Sequence, residues 1–370
     1  MSRPQIIVNV TAALARRGAP TETGRAFLAY PSATGPATPV VCTSEADALA
    51  ESVPAVQAAW VGDALRQGAP DVVVVRFAAV STTAPTEAEV TAGLDLFSSD
   101  YGPGQVLVPG LATADVYDAL LAHADSTGRT VMLDVAADAS ASTITTALGT
   151  LAAAPGAETA GMFVGWPVLP ISGGGTRQVP GSVMAAGLAG RGDAFAGHAN
   201  NAPAGDQGRG AGFVTGATGV SESYTDTELD SIHDAGGSVF RTINGVTQLY
   251  GWKSVSSDDR FAQLNAGRMT MQLGSGIRAG AAAFLFRQID GRGHLFAELE
   301  GFLRGYLQPL WAADALYGEE ADDAFAVDVA NQNTAETVTA GELRAAVEVT
   351  LTPHAEKVII NVVTATVEGA

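Results

Sequence analysis

The sequence predicts an α/β fold in which a mainly parallel sheet is covered by helices. Short β-branched runs alternate with helical patterns through the middle of the chain, and that alternation is typical of parallel sheets. The run Asp71–Phe77 is almost continuously apolar, which indicates a strand buried on both faces. A third observation, a β-prone segment at residues 6–11 with no partner hairpin, adds an extended terminal arm to this fold.

The elements before residue 170 follow from apolar periodicity and cap residues. Ser44, followed by Glu45 and Asp47, predicts a capped helix start. We predict strands at 26–29, 40–41, 71–77, 105–108, 129–135 and 160–166, and helices at 85–97, 113–125 and 140–153.

The composition changes after Pro170. Residues 172–176 and 202–219 are rich in glycine and small side chains, and Asn244-Gly245 predicts a tight hairpin turn. We predict helices at 180–190, 225–234, 258–278 and 293–310, and β segments at 239–243, 247–250, 325–329, 343–351 and 357–367.

The isolated N-terminal segment cannot satisfy its own backbone hydrogen bonds. It must therefore pair with a sheet edge, either in its own chain or in another. The residues alone leave both possibilities open.

Composition excludes some classes of partner. The chain has 370 residues, with 39 Asp and Glu against 20 Lys and Arg, and a net charge of −19. Nucleic acid and anionic lipid carry the same sign, so direct binding to either is disfavoured. Charged residues are 16% of the chain against roughly 25% in an average soluble protein, which leaves surface free for burial against other copies.

Cysteine content and apolar runs suggest where the chain is made. Cys42 is the single cysteine, which excludes an intrachain disulfide and fits a reducing cytosol. No apolar run reaches the roughly 18 residues of a membrane helix, and residues 1–10 lack the apolar core of a signal peptide. We expect no membrane insertion.

The residue patterns of enzymes are missing from the sequence. Gly208–Gly212 lacks the spacing of a dinucleotide fingerprint, and neither a Walker A loop nor a GxSxG elbow is present. The five histidines are scattered without a zinc-binding spacing. The acidic segment Glu319–Asp323 lacks the spacing of a calcium loop; it is either a solvated loop or a contact for a basic partner.

Several collinear motifs resemble those of the contractile tail sheath family. Val179–Ser182, Asp193 and His198–Pro203 resemble its proline-led helix entry, its Asp and its Ala/Pro-Asn segment. The motifs that continue this order are Phe240-Arg241, Asn244-Gly245, Gly251–Ser254, Asn265–Arg268, Leu310–Gly318, Phe325–Asp328, Gly341–Leu343 and Thr352–Lys357. In the first half, residues 24–44 and 67–77 resemble the family more weakly. Lys253 stands where the family usually has Arg.

The resemblance implies a structural protein and not an enzyme, with no cofactor. It implies a homo-oligomer of stacked hexameric rings in a helical sheath, with tail tube, baseplate and tail terminator proteins as partners. The location would be a virion tail assembled in the host cytoplasm. The implied organisation is an N-terminal linking arm (1–22), an outer α/β domain (23–170), a sheath core with tube-facing helices (171–338) and a C-terminal β segment and arm (339–370).

The resemblance also assigns roles to residues. Arms of neighbouring subunits would complete one another's sheets, and two sequence segments would donate strands with Gly18, Pro20 and Pro353 as joints. The donor residues are Ile6, Ile7, Val8 and Val10 in the first arm and Val358, Ile360 and Val362 in the second. The tube-facing residues are Glu319, Glu320, Asp322, Asp323 and Arg304.

Two other interpretations stay open at this stage. One keeps the sheath but puts it in a bacterial contractile injection particle or tailocin instead of a virus. The other is a hydrolase-like α/β enzyme whose active site is assembled from dispersed residues, which predicts a deep polar cleft.

Overall fold

A mixed sheet forms the centre of the molecule, and the computed structural model describes residues 23–171 and 173–356. Within those residues the sheet has eight strands in the order β11-β10-β6-β5-β4-β1-β3-β2. The strands of this sheet are β1 (Ala26–Pro31), β2 (Val40–Cys42), β3 (Val72–Phe77), β4 (Gln105–Leu107), β5 (Thr130–Asp134), β6 (Ala160–Val164), β10 (Gly237–Ile243) and β11 (Val246–Tyr250). Neighbours from β10 to β3 pair in parallel, while the edge strands β11 and β2 are antiparallel.

Smaller strands lie outside the central sheet. β7 (Pro167–Pro170), β8 (Thr176–Gln178) and β9 (Gly219–Val220) form one small sheet, and β12 (Phe325–Asp328) pairs with β13 (Ala346–Val349) in another. The helices are α1 (Glu45–Ala50), α2 (Ala55–Gln67), α3 (Glu87–Leu94), α4 (Ala114–Thr127), α5 (Ala141–Leu151), α6 (Gly181–Ala196), α7 (Asp226–Asp234), α8 (Leu264–Ala281), α9 (His294–Trp311), α10 (Ala321–Ala324) and α11 (Ala335–Thr339).

Helices cover both faces of the central sheet because its strands alternate apolar side chains toward each face. Phe27 and Val73 point into the core beneath α3, α4, α5 and α7, whereas Leu28 and Val74 point into the core beneath α1, α2 and α6. Both cores are closely packed. In α6, a Cβ added to Gly190 would lie 2.7 Å from the carbonyl oxygen of Gly68, so glycine permits this close approach.

A third apolar core lies beside the sheet. It is built from one face each of α8 and α9 together with β12 and β13, with Leu303 and Leu307 at its centre. The chain leaves this core through residues 350–352, which pair with residues 315–317.

Most predicted elements are confirmed, with corrections at their ends. Sequence reasoning missed α2 and placed the end of α6 at 190, because Gly190 and Gly192 weaken the helical pattern; packing against neighbouring backbone carries the helix to Ala196. The predicted helix start at 258 is wrong, since residues 259–261 form a separate 3-10 turn before α8. The predicted strand 160–166 ends at Val164, and 343–351 shortens to β13.

The glycine-rich stretches contribute Thr176 to β8 and Gly219 to β9. The central sheet includes β10 and β11, which follow residue 170 in the sequence and extend the sheet beyond β6.

Candidate assembly surfaces

The residues expected to exchange strands lie outside the described part of the chain. These are Ile6, Ile7, Val8, Val10, Val358, Ile360 and Val362, together with the joints Gly18 and Pro20. The third joint, Pro353, is described: it is exposed in the irregular segment at residues 352–356. Strand exchange and the joints therefore stay predictions.

The acidic segment lies at the C-terminal end of α9 and is exposed. Glu320 caps the one-turn α10, and its N–H donates to the Asp323 carboxylate at 3.3 Å. Arg304 on α9 donates to Glu300 at 3.0 Å and lies 3.5 Å from Asp322, which is 89% exposed. The structure thus brings Arg304 and the acidic segment together. Since exposed ion pairs contribute about 0–1 kcal/mol, these carboxylates can exchange partners at little cost.

The described ends of the chain meet at one buried cluster of polar side chains, here termed the arm-root cluster. Its members are Thr23, Asp193, His198, Asn200, Asn201, Asn265, Arg268 and His354. They come from the first described residues, from α6 and the loop after it, from the start of α8, and from the last described segment.

Asp193 ties the N-terminal end of the described chain to α6 and α8. Its carboxylate accepts two hydrogen bonds from the Arg268 guanidinium, at 3.0 and 2.7 Å, and the Arg268 side chain is fully buried. The Thr23 hydroxyl donates to the same carboxylate at 2.7 Å, and Asn201 donates at 2.8 Å. A buried charge needs this degree of pairing, because an unpaired one is costly to desolvate.

Asn200 holds the C-terminal segment. Its side-chain amide donates to the carbonyl oxygens of Ala315 at 2.6 Å and Thr352 at 3.2 Å, while its own oxygen accepts from Asn265 at 2.6 Å. The Asn265 amide also lies 3.3 Å from Nδ1 of His354. One loop, residues 198–201, therefore contacts the groups that fix both described ends.

A salt bridge adds a second attachment for the C-terminal segment. Lys253 Nζ lies 2.6 Å from the Glu356 carboxylate, which also accepts from Gln263 at 3.1 Å. The Glu356 side chain is 40% exposed, so this contact is weaker than the buried one at Asn200.

Burial disfavours the charged form of His354. Burial lowers its pKa below the ordinary value, and the nearby His198 lowers it further, while Glu356 acts in the opposite direction. His198 itself contacts the carbonyl oxygen of Ala313 at 3.0 Å. The structure brings two of the scattered histidines together, but within residues 23–171 and 173–356 no group of three or more His, Cys, Asp or Glu side chains is arranged to hold a metal ion.

Two depressions mark the described surface. A cavity of about 120 Å³ lies beside β9 and β10, and an open groove of about 660 Å³ lies between the acidic segment and Thr352. In the described residues, no helix combines the length and apolarity needed to cross a bilayer.

Sequence reasoning identified Asp193 and residues 198–203 through the family resemblance but missed what they contact. The partners Thr23, Arg268 and Thr352 lie 170, 75 and 152 positions away from the groups they bond. One signal was available: two adjacent asparagines in an Ala- and Pro-rich stretch indicate buried amides that satisfy several backbone groups.

Comparison with solved structures places this fold among sheath proteins. The chain is similar to a chain of the anti-feeding prophage baseplate, with 17% identity and a TM-score of 0.76 over 99% of this chain and 100% of that one. It is similar to a chain of the PVC sheath complex in its contracted state, an extracellular contractile injection system, with 16% identity and a TM-score of 0.75 over 98% of both chains. The crystal structure of a sheath tail protein from Desulfitobacterium hafniense matches with 12% identity and a TM-score of 0.56, over 88% of this chain and 93% of that one.

The chain thus has the fold of contractile sheath proteins, and the resemblance seen in its motifs is confirmed at the level of fold. The particles to which these similar chains belong are the anti-feeding prophage and the PVC injection system. No protein family profile matches the sequence, and no curated protein does.

Proposed function

We propose that this chain is the sheath subunit of a contractile particle and not an enzyme. The observation that carries the proposal is a fold shared over 98–99% of the chain with chains from contractile particles. Copies would stack as hexameric rings around an inner tube, and contraction of the sheath would drive the tube through the envelope of a target cell. Energy stored in the extended lattice needs no cofactor, because many copies each release a little on contraction.

The arms would link neighbouring copies by strand exchange. Residues 6–11 and 358–367 would donate strands to sheet edges of adjacent subunits, a heterologous contact that propagates instead of closing. The arm-root cluster supports this proposal because its buried bonds fix Thr23 and Thr352, so that force on an arm would reach the body of the subunit. Baseplate and terminator proteins would bind at the two ends of such a polymer.

Deletion of residues 1–18 tests the proposal. The full chain should form tubular polymers in electron micrographs, and the truncated chain should stay folded, with an unchanged circular dichroism spectrum, but form no tubes. Normal tubes from the truncated chain would contradict strand exchange by the first arm.

The exposed acidic segment is proposed to face the tube. Glu319, Glu320, Asp322 and Asp323 would meet basic tube residues in the extended state, and Arg304 would exchange its contact with Asp322 during that pairing. Changing all four acids to their amides should reduce co-assembly with the tube protein, measured by co-purification. A matched control neutralises four exposed acids elsewhere, namely Glu87, Asp95, Asp115 and Asp118. Equal co-assembly of both variants would rule this contact out.

Two kinds of particle fit the fold. A virion tail would deliver a genome after assembly in the host cytoplasm, whereas an injection particle would deliver another cargo. TM-scores of 0.73–0.76 to chains of the anti-feeding prophage and PVC, against 0.56–0.58 to the sheath tail proteins, favour the injection particle. Nuclease-protected DNA in purified particles would instead support the virion.

A further inference from the structure

An exposed apolar knob projects where α8 turns into α9. Phe286 is 87% exposed and Leu285 is 37% exposed, and the Phe286 backbone has a φ of 63°. A bulky residue rarely adopts this left-handed conformation, because its side chain crowds the backbone there. The backbone is therefore strained at Phe286, the residue whose aromatic ring is exposed to solvent.

The knob carries positive charge in an otherwise acidic chain. Arg278 and Arg292 flank it, and both are exposed. Among the described residues neither guanidinium has a carboxylate partner, whereas Arg287 between them pairs with Glu298 at 2.6 Å. Two uncompensated charges beside an exposed aromatic ring predict a partner that is both apolar and acidic.

A groove with those two properties lies beyond the C-terminal end of α9. Leu316 and Tyr317 line it, and the Tyr317 side chain is 64% exposed. Three carboxylates, those of Asp314, Glu319 and Asp323, surround the same groove. Phe286 and Tyr317 both remain exposed within one chain, so the knob and the groove do not cover each other there.

We propose that the knob of one copy inserts into the groove of a second copy. Phe286 would pack beside Tyr317, and Arg278 and Arg292 would face Asp314, Glu319 and Asp323. The contact is head-to-tail, so a pair leaves the groove of one copy and the knob of the other free, and further copies can add at both ends. Arg278 and Arg292 would therefore compete with basic tube residues for Glu319 and Asp323, whereas Glu320 and Asp322 do not line the groove.

This inference deepens the proposed function, on which it rests, by naming a copy-to-copy contact separate from the arms. Disulfide trapping in the full chain tests it. Phe286→Cys and Tyr317→Cys are introduced together and separately, in a Cys42→Ala background that removes the buried native thiol. Assembled protein is oxidised mildly and run on a non-reducing gel.

The double variant should give a ladder of covalent oligomers. A mixture of the two single variants should stop at a covalent dimer, and each single variant alone should give none. Dimers from Phe286→Cys alone would indicate a symmetric contact and overturn the proposal, as would a missing ladder in protein that micrographs show to be polymerised.

A charge reversal adds an independent measurement. In the double-cysteine variant, Arg278→Glu with Arg292→Glu should abolish the ladder, while Arg209→Glu, an exposed arginine elsewhere, should leave it intact. An unchanged ladder after the double reversal would contradict the electrostatic pairing. If the unmodified chain forms no polymers but the ladder appears, the proposed sheath function fails while the knob-and-groove contact stands.

Discussion

The buried ion pair between Asp193 and Arg268 gives the sharpest prediction of stability. Changing Asp193 to Asn keeps the side-chain shape but replaces one oxygen with an NH₂ group. Each carboxylate oxygen of Asp193 accepts two hydrogen bonds, so the NH₂ group of the new asparagine would face two hydrogen-bond donors where an acceptor is needed. The Arg268 guanidinium would stay charged and buried without a carboxylate to compensate it. Breaking a buried pair by removing one partner costs about 3–5 kcal/mol.

Urea unfolding of the full chain, followed by tryptophan fluorescence, measures this cost. Trp252 reports on the site because its ring centre lies 5.9 Å from the Arg268 guanidinium carbon. If the free energy of unfolding falls by about 4 kcal/mol and depends on urea concentration with a slope near 3 kcal/mol/M, the unfolding midpoint drops by roughly 1.3 M urea. The control is Glu342→Gln, which breaks an exposed pair with Arg344 and should change stability by no more than about 1 kcal/mol.

The reasoning is refuted if Asp193→Asn and the control shift the midpoint equally. A second variant separates pairing from burial: Asp193→Leu combined with Arg268→Met removes both charges and should be more stable than Asp193→Asn alone. A double variant that is less stable than Asp193→Asn would show that the pair contributes net stability beyond satisfying its own charges.

Three further predictions concern the chain ends and helix packing. Thr23→Val removes one hydrogen bond to Asp193, worth about 1 kcal/mol, so amide exchange at residues 23–26 should rise about fivefold; an unchanged rate would place the N-terminal attachment elsewhere. Because the folded pKa of His354 is lowered, the order it gives residues 352–356 is present at neutral pH and is lost as pH falls below about 6.5 through that pKa. Proteolysis of this segment should accelerate at pH 5, and His354→Gln should remove the pH dependence; equal pH dependence in the variant would exclude His354 as the cause. Gly190→Ala should lower the free energy of unfolding by about 1–3 kcal/mol, because the added Cβ would overpack against Gly68. Gly149→Ala is the control, since open space surrounds its added Cβ and it should not destabilise the chain. Equal thermal unfolding midpoints for the two variants would contradict the close approach of α6 to Gly68.

The fold was predictable where local pattern and tertiary environment agree. The apolar run of β3 and the Asn244-Gly245 turn each specify their element within a few residues, because burial on both faces and a positive φ leave few alternatives. The helix α2 was missed since its start has Pro54 as N-cap with no side-chain cap bond, and its pattern is weakly amphipathic.

The candidate site was predictable only in outline. Motif order pointed to His198–Pro203 and to the acidic segment, but not to the bonds that join Asn200 to residues 315 and 352. Those bonds depend on how three separate cores pack, and neither local periodicity nor charge pattern contains that information. The knob at Phe286 could not be found from sequence either, since neither its exposure nor its positive φ is indicated by the residues around it.

Cryo-electron microscopy of the purified full chain tests the central proposal most directly. A sheath subunit should form helical polymers whose cross-section shows six copies per ring, in which each copy contacts its neighbours through the terminal arms. A chain that stays monomeric at all concentrations, alone and together with its tube protein, would contradict the proposal.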